Sequence, residues 1–217
     1  MIGRVLSVIH ALRAAFRNRR RAQLDQKLLA KSLSVTQPSI GSTATKLHLG
    51  CGMKIKEGWL NTDIMFNAYE VPDIRNVVSH IFLLDATQEF PFRDQQFEYI
   101  YCEDFIEHFE QKDGLSIMVE CFRVLKPGGV WRLSTPSFDK IIGRLDLSSR
   151  RTVEWAHWGW GHRLLYTEAY MRDLLEKCGF GDVVLCGFGE SRHAALRNQD
   201  TRADQQHINL IVEATRR

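Results

Sequence analysis

A chain of 217 residues is long enough for one well-buried α/β domain and an appendage, and short for two full domains. Hydrophobic and charged fractions of 44% and 25% exclude a disordered chain and a collagen-like fibre, and no stretch reaches the roughly 18 apolar residues of a membrane span. The net charge of +3 is uneven: residues 1–31 hold eight basic residues against Asp25 alone, a net +7, so the remaining 186 residues sum to −4.

The N-terminal 31 residues read as a basic amphipathic helix, with Ile2, Val5, Leu6, Ile9, Leu12 and Phe16 at helical spacing. Arg4, His10 and Arg13 interrupt the apolar region and no small-residue cleavage site follows, which argues against a signal peptide. Residues 2–21 suit an anionic membrane surface, a protein partner, or packing on the body of the protein. Residues 32–45, polar and holding Pro38 and Gly41, read as a linker. Five scattered cysteines with no CxxC pair argue against a disulfide framework or a zinc cluster and make a reducing cytoplasm the expected setting.

From Lys46 strands alternate with helices. Leu47–Leu49 runs into Gly50-Cys51-Gly52. Trp59–Thr62 closes on Asp63, His80–Leu84 on Asp85, and Phe97–Cys102 on Glu103 and Asp104. Leu115–Leu125 has helical spacing and stops at Lys126-Pro127-Gly128-Gly129, before a strand over Val130–Ser134. Thr167 can cap a helix running to about Cys178, with Gly179 past its end. Val183–Gly187 and Ile208–Glu213 have no crossover helix between them and are expected to pair antiparallel. The pattern predicts a mostly parallel sheet covered on both faces, with a ligand beyond the carboxyl ends of the strands.

Acidic groups at strand tips are poor packing material, so their repetition marks a site. The glycine turn lets backbone N–H groups approach a ligand, although by itself it fits a plain turn equally well. Asp63 could accept both hydroxyls of a ribose, or could simply end its strand. Asp85, followed by Ala86 and Thr87, could accept an exocyclic amine.

Four stretches in this order resemble the class I S-adenosylmethionine (SAM)-dependent methyltransferases, in particular the ubiquinone/menaquinone-type branch. They are Leu47–Gly52, Gly58-Trp59-Leu60-Asn61-Thr62-Asp63-Ile64, Asp85-Ala86 through Phe90-Pro91-Phe92 to Phe97, and Glu107-His108 through Arg123–Gly129. Together they cover residues 46 to about 136. His162–Thr167, Leu174–Phe180 and Val212-Glu213-Ala214 are similar to the family's tail. The resemblance implies a Rossmann-like, doubly wound, mostly parallel seven-stranded sheet with an antiparallel last strand, forming a methyltransferase domain over residues 46–217. It implies SAM as cofactor, with Gly50, Cys51 and Gly52 around its methionine portion, Asp63 at the ribose, Asp85 and Ala86 at the adenine, and Glu103 near the methionine end or the acceptor.

The sequence departs from the family pattern at three points. His48 stands where an acidic residue is usual, and Met53-Lys54 replaces the third glycine. Only ten residues separate Gly52 from Asp63, so the first crossover helix is predicted to be absent or vestigial. The N-terminal helix could then cover the exposed sheet face.

SAM carries an activated methyl group, so transfer needs alignment, and a base only where the acceptor must lose a proton. His108, His157 and His162 are the candidate bases. His108 could equally serve to orient its loop. The aromatic run from Trp155 to His162 suits a sugar ring or a flat acceptor, or a packed lid. His157 and His162 lack a third ligand nearby in sequence, so no metal site is expected. Ser191–Gln206, with Arg192, His193, Arg197 and Arg202, reads as a solvated loop or a contact to an anionic acceptor. Nothing supports nucleic-acid binding. The expected function is methyl transfer to a small-molecule or glycan-precursor acceptor at oxygen. The alternative is a non-catalytic SAM-binding or partner-binding protein with a degenerate fold. A nicotinamide oxidoreductase is disfavoured by the lack of a GxGxxG opening a helix.

Overall fold

The computed structural model describes residues 43–64, 81–143 and 161–217. The N-terminal segment predicted to be helical and the aromatic run up to Trp160, including His157, lie outside these residues. Seven strands form one sheet: β1 (Lys46–Leu49), β2 (Leu60–Asp63), β3 (Ile81–Leu83), β4 (Phe97–Glu103), β5 (Leu125–Pro136), β6 (Phe180–Leu185) and β7 (Asn209–Arg216). Their order is β3-β2-β1-β4-β5-β7-β6. β1 to β5 run parallel, while β7 pairs antiparallel with both β5 and β6. The seven-stranded, mostly parallel sheet with an antiparallel last strand is therefore the architecture expected from the sequence.

Alternation along the strands sorts the side chains onto two faces. Leu47, Leu49, Ile100, Cys102, Trp131, Leu133 and Val212 point to one face and join a single apolar core. Helix α1 (Gln111–Val124) adds Ile117, Met118, Cys121 and Val124 to that core, and α3 (Glu168–Lys177) adds Met171, Leu174 and Leu175. A short helix α2 (Phe138–Ile142) follows β5. Thr167 caps α3 as predicted, its hydroxyl accepting from Tyr170 N–H at 3.1 Å. β5 starts at Leu125 rather than Val130, because Leu125 pairs with Phe97 and the ladder then shifts register past the Pro-Gly-Gly turn.

The opposite face is polar. The register places Asn61, His48, Tyr101, Arg132 and Glu213 side by side across five strands. All five are buried. The glycine turn passes to β2 without a helix, as its length predicted. Among the described residues, the loop between β6 and β7 covers this face. Leu196 packs on Trp59, Tyr101 and Val130, and the His193 ring lies 5.9 Å from that of Tyr99. Ser191–Gln206 is thus a packed cover with solvated edges, and not a fully solvated loop.

Arg132 holds this cover. Fully buried, it donates to Asp200 through Nε and Nη2, to Glu213 Oε1 at 2.8 Å, and to the carbonyls of Glu190 and Gly187. Burial alone would lower its pKa, but the two carboxylates outweigh that and hold the guanidinium charged. Asp200 also accepts from Gly189 N–H at 2.7 Å, which ties the loop to the ion pair. Removing one member of such a network leaves an uncompensated buried charge. Arg132→Ala is expected to destabilise the fold by about 3–5 kcal/mol, read as a fall in the urea midpoint. A loss under about 1 kcal/mol, the range of an exposed pair, would contradict this role.

Candidate functional site

The site is built at the carboxyl ends of β1 to β4. Gly50 and Gly52 both have positive φ, 62° and 52°, which turns the chain sharply out of β1. A Cβ on Gly50 would overlap the Phe105 ring. Gly52 N–H donates to Asp63 Oδ2 at 2.8 Å, and Cys51 N–H to Thr62 O at 3.0 Å. The tip of β2 therefore fixes the shape of the glycine turn. Burial, then the nearby Asp63, pushes the Cys51 thiol up to about 12, so it is no nucleophile at neutral pH.

Asn61 takes over the work of the missing helix. Its Oδ1 accepts from Lys56 N–H at 2.9 Å, and its Nδ2 donates to the carbonyls of Lys56 and Trp59. One side chain thus closes the loop from the glycine turn to β2. His48 Nδ1 donates to the same Oδ1 at 3.0 Å, so the residue that replaces the usual acid belongs to this brace. The sequence carried a signal for Asn61: an amide inside a buried strand beside a short loop needs partners.

The other predicted residues lie on the same edge. Asp85 Oδ1 accepts from the amide and hydroxyl of Thr87, at 3.0 and 2.7 Å, and Ala86 is buried beside it. Leu84 N–H donates to Asp63 O at 3.2 Å and joins the tips of β2 and β3. Glu103 accepts from the amides of Thr201 and Arg202, from the Thr201 hydroxyl, and from Lys54 Nζ at 3.3 Å. Burial would raise its carboxyl, but these bonds and Lys54 outweigh that and lower it. Glu103 therefore anchors the β6–β7 loop at the rim of the site. Arg202 pairs with Asp104 at 2.6 Å.

His108 and His162 come together, their ring centroids 5.3 Å apart. Glu107, read in the sequence only as part of the Glu107-His108 stretch and given no role, lies fully buried beside them, with Oε2 accepting from the Thr135 hydroxyl at 2.9 Å. Burial, then the nearby Asp104, pushes its carboxyl up to about 8. Burial also lowers the pKa of His108, against the pull of the Gly161 backbone and Asp104.

Residues 47–133 match a family model described as a methyltransferase domain. With the sheet order, this match marks residues 47–133 as similar to a methyltransferase domain. Phosphoethanolamine N-methyltransferase 2 of Haemonchus contortus, solved with SAM, has the same fold at a TM-score of 0.55 and 15% identity, over 86% of this chain and 52% of that one. This chain thus spans about half the length of that enzyme. SAM-dependent methyltransferases of Thermotoga maritima (TM-score 0.53, 15% identity, 93% and 96% covered) and Mesorhizobium loti (0.52, 17%, 86% and 96%) are similar over nearly their whole length. No curated protein sequence matches the chain.

The buried brace predicts a pH dependence of stability. Burial, then the Lys56 and Lys54 charges, lowers the His48 pKa from 6.5 to about 4, although Asn61 and Glu103 oppose this. Between these values the unfolded chain binds a proton that the folded chain does not, so stability falls as pH drops from 6.5 toward 4. The loss is at most about 3 kcal/mol at roughly 1.4 kcal/mol per pKa unit. Denaturant unfolding across this range should show the fall in the wild type and a shallower one in His48→Gln. Equal slopes would refute the assignment.

Proposed function

We propose that this protein transfers the methyl group of SAM to an oxygen of a small-molecule or glycan-precursor acceptor. The observation that carries the reading is the hydrogen bond from Gly52 N–H to Asp63, which locks the glycine turn beside a strand-tip carboxylate. The donor set suits the cofactor. Gly52 has open space where a Cβ would stand, which lets a ligand approach the backbone of the turn, and Asp63 is a carboxylate of the kind that accepts from a ribose diol. Asp85 can accept an adenine amine, with buried Ala86 leaving room for the flat ring.

The cofactor supplies an electrophilic methyl carbon on a sulfonium, which leaves as the thioether S-adenosylhomocysteine. The chain aligns the acceptor oxygen with that carbon and removes the hydroxyl proton. His108 and His162 are the groups on this edge suited to hold that proton, with His157 a further candidate outside the described residues. The Gly58–Asp63 stretch supports assignment to the ubiquinone/menaquinone-type branch.

Calorimetric titration tests the reading. SAM and S-adenosylhomocysteine should bind with one site per chain, and NAD should not. Losing a hydrogen bond to a charged carboxylate is worth about 1.5–3 kcal/mol, so Asp63→Ala and Asp85→Ala should each weaken SAM binding roughly tenfold to a hundredfold. Unchanged affinity in both variants would place the site elsewhere.

A further inference from the structure

We infer that Glu107, His108 and His162 form a three-ligand site for a first-row divalent metal ion, zinc above all. One ligand atom from each residue lies within 4.8 Å of the other two. Glu107 and His108 share a 3₁₀ turn at Ile106–His108. His162 comes from a segment 54 positions away, yet its place is fixed. Arg163 N–H and Leu164 N–H both donate to Glu107 O, at 2.7 and 3.2 Å. The sequence offered no sign of this closeness, because Glu107 and His108 stand more than 50 positions from His162.

The state of Glu107 is the independent observation. It is fully buried, and among the described residues its Oε1 has no hydrogen-bond partner. A buried carboxyl oxygen without a partner is costly. A dication held by Glu107 and two imidazoles would offset the cost and occupy the unpartnered oxygen. The Thr135 hydroxyl on Oε2 is the outer contact that orients a metal-bound carboxylate.

The donor set selects the ion. Two imidazoles and one carboxylate suit zinc, cobalt, nickel or ferrous iron, and suit magnesium or calcium poorly. His108 is exposed, so a fourth position would open to solvent, as in zinc sites that act on a bound ligand. Ligand atoms about 2.0–2.2 Å from one ion stand closer together than here, so modest side-chain rotation would close the site. What the ion does rests on the proposed function: it would hold the acceptor oxygen and lower its pKa, releasing the hydroxyl proton to solvent. The two histidines would then be ligands, not bases.

The test uses the full chain, freed of metal by a chelator and titrated with Co²⁺. The wild type should take up one Co²⁺ per chain, with the visible absorption of a four- or five-coordinate ion, and Zn²⁺ should displace it. Loss of a ligand should exceed the effect of an outer contact, about 10–100-fold. His108→Ala and His162→Ala should therefore each weaken Co²⁺ binding at least about a hundredfold, and Thr135→Val about tenfold. Because His108 is exposed, His108→Ala should keep its far-ultraviolet circular dichroism. No saturable Co²⁺ uptake by the wild type, or unchanged affinity in His108→Ala, would overturn the site. SAM binding without Co²⁺ binding would remove the metal and leave the methyltransferase reading intact. Co²⁺ binding without SAM binding would leave the metal site standing and remove that reading.

Discussion

A buried arginine holds together the face of the sheet that the missing helix would have covered. Arg132 sits in the middle of β5 with Asp200 and Glu213 as partners, and through Asp200 it pins the loop between β6 and β7. That loop lays Leu196 on Trp59, Tyr101 and Val130. Without it, a polar row from Asn61 to Glu213 would face water on a sheet whose other side carries the main apolar core. Such a row is poor at driving burial, so directed bonds to one charged group do what apolar packing does elsewhere.

The same loop reaches the functional edge. Thr201 and Arg202 close on Glu103 at the tip of β4, Arg202 pairs with Asp104, and Lys54 spans from the glycine turn to Glu103. Cover and site are thus one hydrogen-bonded unit. In a standard crossover, the N-terminus of a helix would present amides and a dipole to the cofactor. Here no helix follows the turn, and its geometry comes from Asp63 and Asn61.

Much of this was legible in the sequence. Each apolar run of β1 to β4 ends in Gly or a carboxylate, and the fold gathers those residues along one edge of the sheet. The ten-residue interval after Gly52 foretold the absent helix, because chain length alone forbids it. Thr167 announced the start of α3 by its capping chemistry. The β6–β7 loop was not legible. Its arginines look solvated in a linear reading, and the residue that fixes it, Arg132, lies in another strand 68 positions from Asp200. Asn61 and Glu107 stood within the quoted motifs but were given no role for a related reason: the partners that define each are supplied by the folded chain. The Glu107–His162 pairing depends on two loops meeting beyond β4, which no local pattern encodes.

The central claim is that the cofactor sits at the tips of β1 to β3, on a glycine turn locked by Asp63. Amide hydrogen exchange with and without S-adenosylhomocysteine addresses it directly. Added product should slow exchange in the segments around Gly50–Gly52, Asp63 and Asp85–Thr87, and leave the amides of α3 unchanged. Equal exchange at those three tips in the presence of saturating ligand, or protection confined to another part of the chain, would contradict the account.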